Sequence, residues 1–190
     1  MAELPADAME AASVIGASLD ARDIPYAVGG ALAFGIWSTP RGTLDVDLNV
    51  FVRDDQLGEV VDALRECGVD VNAERARRDA VAEGMFQGRF GDFRIDLFTP
   101  SIEFSWEAMR TRRQVSTGGR SLWVLAPEAL AVFKLLFFRP KDLVDLERLA
   151  ASRGIKLDTA YVRSHLTSLV GDDDERVKAW DRMVRDADTP

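Results

Sequence analysis

Two aspartates, Asp45 and Asp47, stand one residue apart in a segment where Thr43, Asp45, Asp47 and Asn49 alternate with Leu44, Val46, Leu48 and Val50. Alternation with period 2 predicts a half-buried strand over Thr43–Phe51. Residues i and i+2 of a strand project from one face, so the two carboxylates lie close together while Val46 and Leu48 face a core. Ionised carboxylates held that close repel each other. A hard divalent cation relieves the repulsion, because Mg²⁺ prefers oxygen ligands. A solvated strand face explains an acidic pair as well, and the same Asp-x-Asp spelling recurs at Asp172/Asp174 and Asp186/Asp188 in a polar, helical tail. Only its setting distinguishes the 45/47 pair.

That setting begins upstream. Gly29-Gly30 follows the short apolar run Tyr26-Ala27-Val28 and opens a helix-like stretch to Trp37. Bare backbone N–H groups at such a turn can approach phosphate oxygens with no Cβ in the way. Arg41 and Thr43 just precede the acids and could supply a phosphate-pairing guanidinium and a hydroxyl donor. A third carboxylate, Asp96, belongs to a second alternating segment in which Phe93, Ile95 and Leu97 face inward. If that strand adjoins the first, Asp96 stands beside the pair; Asp92, on the same face but at the turn, is the second choice.

Lys134 lies in Leu130–Phe138, a helix apolar nearly all round. A buried ammonium costs several kcal/mol unless paired, so Lys134 must reach an anion: Glu128, an aspartate on the sheet, or a bound phosphate. Lys141 and Asp145 are spaced to pair along a helix. The lone histidine, His165, gives histidine catalysis or a zinc site no support. Trp37, Trp106, Trp123 and Trp180 read as core or interface residues, and Arg110, Arg112, Arg113 and Arg120 as a solvated basic edge.

The elements that must position these groups can be traced in order. A helix is expected over 6–22, with Met9, Ala12, Val14, Ala17 and Leu19 as its stripe, broken at Ile24-Pro25. After the strand at 43–51 come a helix over 55–67 stopped by Gly68, and a hairpin of Met85–Phe90 and Phe93–Phe98 turning at Gly91-Asp92. A helix over Ser101–Arg112 and short strands at Gln114–Thr117 and Ser121–Val124, flanking Gly118-Gly119, follow. From Pro127 the pattern is helical, punctuated by Pro140, Gly154 and Gly171. The class is α+β, a mixed sheet flanked by helices with a C-terminal helical part. Residues 1–125 read as the α/β core and 126–190 as helices packed on it, one compact unit.

Composition narrows the partners. Of 190 residues, 24 are basic and 32 acidic, a net charge of −8, which argues against capturing nucleic acid through a broad positive field. No uncharged apolar stretch approaches the ~20 residues of a membrane span. Acids precede the first basic residue, Arg22, which excludes a secretory signal, and the single cysteine, Cys67, allows no internal disulfide. A cytoplasmic protein is expected.

Taken together, Gly29-Gly30, Arg41-Gly42-Thr43-Leu44-Asp45-Val46-Asp47-Leu48 and the later Asp96 resemble the polymerase-β-type nucleotidyltransferase superfamily. Phe133-Lys134-Leu135 followed by Arg139-Pro140-Lys141-Asp142-Leu143-Val144-Asp145-Leu146 is similar to helices of the AbiEii-like abortive-infection toxins. The resemblance runs through about residue 150, leaving the tail after Gly154 outside it. It implies an enzyme that moves a nucleoside monophosphate from an NTP to a hydroxyl. Asp45, Asp47 and Asp96 would be catalytic and hold Mg²⁺ (or Mn²⁺), with Asp96 also helping to deprotonate the acceptor. Gly29, Gly30, Arg41, Thr43, Lys134 and Lys141 would bind the nucleotide. The toxin-like segment implies a tRNA or RNA end as acceptor and a possible cognate antitoxin as partner. The alternatives are a small-molecule, antibiotic-type adenylyltransferase and a non-catalytic member of the fold that binds a nucleotide or a protein.

Overall fold

The structure, a computed structural model, describes residues 4–117, 119–152 and 154–188; Gly118 of the expected Gly118-Gly119 turn lies outside them. In chain order the elements are α1 (Ala8–Asp20), β1 (Tyr26–Val28), α2 (Gly30–Trp37), β2 (Asp45–Val50), α3 (Leu57–Glu66), α4 (Ala73–Glu83), β3 (Met85–Phe90), β4 (Phe93–Phe98), α5 (Phe104–Thr111), β5 (Arg113–Thr117), β6 (Arg120–Val124), α6 (Pro127–Phe137), α7 (Pro140–Ala150), α8 (Thr159–Val170) and α9 (Glu175–Asp188). The class is mixed α/β, as the alternation of strand and helix signals requires. Packing divides the chain into two units: residues up to Leu32 with Arg41–Leu125, and Ala33–Pro40 with the chain from Ala126 onward.

The first unit is built on a six-stranded mixed sheet of order β3-β4-β2-β1-β6-β5. β3–β4 and β5–β6 are antiparallel hairpins, β1 runs antiparallel to β2 and parallel to β6, and β2 lies parallel to β4. The hairpin β3–β4 closes through Gly91, whose φ of +59° suits glycine. One sheet face is apolar and fully buried: Val46, Leu48 and Val50 of β2, Ile95 and Leu97 of β4, Leu122 and Val124 of β6. Each such side chain contributes roughly 1.5–3 kcal/mol.

α1 packs against that sheet and α3. Its buried face is Ala8, Ala11, Ala12, Ile15 and Leu19, not the expected stripe through Met9, Val14 and Ala17. The spacing 8, 11, 12, 15, 19 follows the helical repeat, and alanines carry it, so larger side chains elsewhere masked it. Sequence pattern marks nothing between Gly68 and Met85, yet α4 forms there. Asn72 caps it by accepting from the Arg75 amide, Gly84 ends it in the left-handed region, and its buried face is only Ala76 and Ala80.

In the second unit, α6 packs on α7 and α8, and α9 on α7 and α8, around Leu130, Leu135, Leu146, Leu149, Val162, Leu166 and Trp180. Among the described residues no helix is long and apolar enough to cross a membrane.

Candidate functional site

Period-2 geometry turns Asp45, Asp47 and Asn49 away from the buried face of β2. What sequence cannot give is the neighbour of β2, and the sheet supplies it. In the parallel β2–β4 pairing Asp45 lies opposite Arg94 and Asp47 opposite Asp96. Paired residues of adjacent strands share a face, so all three carboxylates of the expected triad project from the open side of the sheet. The β3–β4 register extends both rows, with Gln87 opposite Asp96 and Arg89 opposite Arg94.

Asp96 is 7% exposed, and a carboxylate so buried needs partners. Gln87 Nε2 donates to its Oδ1 at 2.9 Å, and Arg94 Nη2 stands 3.2 Å from its Oδ2. The same Arg94 nitrogen is 3.1 Å from Asp45 Oδ2, so one guanidinium bridges two of the three acids. Among the described residues no three acidic, histidine or cysteine side chains already converge on one point as metal ligands do. The donor set nonetheless fits a hard cation: carboxylate oxygens on one face, with a positive charge already held between two of them. Arg94 and Gln87 escaped the sequence reading. Arg94's i, i+2 spacing from Asp96 was the available signal, whereas Gln87 needs the hairpin register.

Asp47 rests against the glycine turn. Gly30 has φ +52°, and a Cβ there would come within 1.7 Å of Asp47 Oδ2. Only glycine permits both the backbone angle and the approach. Gly29 differs from expectation: its N–H donates to the Asp47 carbonyl at 2.8 Å, extending the ladder. The N–H groups left without intrahelical partners are those of the first turn of α2, from Gly30 on.

The Thr43 hydroxyl turns onto its own chain, accepting from the Asp45 amide at 3.0 Å and lying 3.2 Å from the Asp45 carbonyl, so it fixes the start of β2. Arg41 is exposed. In the second unit Lys134 is buried as predicted, but its partners are on α7: Asp145 Oδ2 at 2.7 Å and Asp142 Oδ1 at 3.4 Å. Arg139 Nε holds the other Asp142 oxygen at 2.6 Å. Burial alone pushes the Asp142 carboxyl up, but the Arg139 hydrogen bond and the Lys134 and Arg139 charges bring it below the ordinary value. Lys141 is exposed. Of the basic edge, Arg112 lies over the Trp123 ring at 4.4 Å and Arg110 pairs with Glu107.

No protein-family profile matches the chain, and no curated protein matches it by sequence. Solved structures do resemble it. An antigenic nucleotidyltransferase-like protein from Paracoccidioides brasiliensis superposes with a TM-score of 0.53 at 15% identity, covering 94% of each chain. ANT(2")-Ia in complex with adenylyl-2"-tobramycin gives 0.50 at 15% identity, covering 94% of this chain and 97% of that one. At such identity the likeness concerns architecture, and the architecture of this chain is a nucleotidyltransferase-like fold.

Proposed function

We propose that the protein is a metal-dependent nucleotidyltransferase, transferring a nucleoside monophosphate from an NTP to a hydroxyl acceptor. The observation that carries this reading is the register of β2 against β4, with Asp47 opposite Asp96 and the Gly30 turn packed on Asp47. Asp45, Asp47 and Asp96 would hold the metal. Divalent cations bound there supply positive charge to the α-phosphate and to the departing pyrophosphate.

The chain's own groups do the rest. First-turn amides of α2, opened by Gly30, face the anionic triphosphate. Asp96, oriented by Gln87 and Arg94, accepts the acceptor's proton. The acceptor oxygen bonds to the α-phosphorus as the bridge to the β-phosphate breaks, and pyrophosphate leaves. Lys134 is already neutralised by Asp142 and Asp145, so its part in this reading is to join α6 to α7.

Two acceptor classes follow from the sequence, an RNA end and a small molecule. The small-molecule reading draws on the full-length fold likeness to ANT(2")-Ia, whose structure contains an adenylylated tobramycin. Incubation with α-phosphate-labelled NTPs, Mg²⁺ and either total RNA or a metabolite extract tests the proposal. Label in either pool, abolished by Asp47→Asn, supports it; label in neither, with folded protein, counts against it.

A further inference from the structure

On the open face of the sheet the two sides of the acid cluster differ. The order β3-β4-β2-β1 sets the Gly30 turn, which follows β1, on one side of Asp47 and Asp96. On the other side, past β4, lies a cavity of about 320 Å³ lined by Asp70, Asn72, Arg75, Gln87, Arg89 and Arg94. Gln87 and Arg94 belong to both places: they line this cavity and hold the two oxygens of Asp96. The cavity is therefore one side chain away from the proposed proton acceptor, through Gln87 and Arg94.

Its charge is informative in a protein of net charge −8. Asp79, also in the lining, is shared by Arg75 at 3.1 Å and Arg78 at 3.7 Å. Asp70 is tied through its backbone, exchanging both N–H···O bonds with Arg89. The Arg89 side chain is exposed and has no ion pair among the described residues, and it shares its face with Arg94 and Asp96. Arg94 is already held between Asp45 and Asp96, and Arg75 by Asp79, so Arg89 is the lining guanidinium left for a ligand, beside one carboxylate, Asp70, with the amides of Asn72 and Gln87 as neutral donors.

An in-line displacement puts entering and leaving oxygens on opposite sides of the phosphorus. With the triphosphate at the glycine turn, the acceptor comes from the β3 side. We propose that this cavity binds an acceptor carrying a phosphate group near its reactive hydroxyl, and that Arg89 is the residue that selects it. The inference rests on the transferase reading. It favours a nucleic-acid end or a phosphorylated small molecule over a polycation, because a planar guanidinium pairs with phosphate oxygens and repels ammonium groups.

The test is equilibrium binding without catalysis. Anisotropy follows fluorescein-labelled penta-adenylate, with glucose 6-phosphate, glucose and tobramycin as separate competitors; Mn²⁺·ATP binding is measured in parallel. Wild-type protein is expected to bind penta-adenylate or to prefer glucose 6-phosphate over glucose, and the arm that responds names the source of the phosphate. Arg89→Ala should weaken that binding about tenfold, Arg89→Lys less, and neither should change Mn²⁺·ATP binding. The inference is overturned if neither phosphate probe binds, if Arg89→Ala binds as well as wild type, or if tobramycin is preferred. Absence of ATP binding by wild-type protein would instead count against the transferase reading, and the phosphate arms, which need no ATP, still report on the cavity.

Discussion

At the scale of single residues the site turns on where Arg94 and Gly30 put charge and space. Arg94 answers two acids at once, at 3.1 and 3.2 Å, and its removal leaves Asp45 and Asp96 facing each other. Arg94→Gln should therefore lower the stability of metal-free protein by about 1–3 kcal/mol and tighten Mn²⁺ binding, since a metal then relieves the repulsion alone. Urea denaturation and a Mn²⁺ titration check the two halves. Gly30→Ala forces a Cβ into the Asp47 carboxylate and strains φ +52°, so ATP affinity should fall about tenfold or more in a variant that still folds by circular dichroism. Asp45, Asp47 and Asp96 were legible in the sequence because strand alternation is local. Arg94's double contact was not, because it depends on which strands are neighbours, and β2 and β4 are separated by a short 3₁₀ helix, two α-helices and a strand.

At the scale of elements, the hairpin β3–β4 was legible from alternation around Gly91-Asp92, and the α6–α7 break from Pro140. α4 was not, because two alanines carry its buried face and give little hydrophobic signal. The join between α6 and α7 is ionic: Lys134, Asp142 and Asp145 are 5%, 1% and 2% exposed. Lys134→Met strands Asp145 without its ammonium and should cost about 3–5 kcal/mol, read as a lower urea midpoint with unchanged slope. Asp142 is held below its ordinary value in the folded state, so its contribution is complete above the unfolded value near ~3.9 and is lost as pH falls through the folded one. The urea midpoint should accordingly fall below about pH 4, and less steeply in Asp142→Asn.

At the scale of the molecule, a chain of net charge −8 carries a sheet face on which two adjacent arginines, Arg89 and Arg94, stand between two acids, Asp70 and Asp45, across four neighbouring segments. The general field repels anions, so the proposed phosphate recognition would have to be local. That much followed from composition; the location of the local charges needed the sheet order. The proposed transfer requires three carboxylates from two strands to act together toward a divalent cation and its nucleotide. A Mn²⁺ titration in the presence of ATP, followed by electron paramagnetic resonance of the free ion, addresses this most directly. Wild-type protein should show saturable binding that Asp45→Asn/Asp47→Asn and Asp96→Asn each weaken strongly. Equal affinity in wild type and in these variants, all folded, would contradict it.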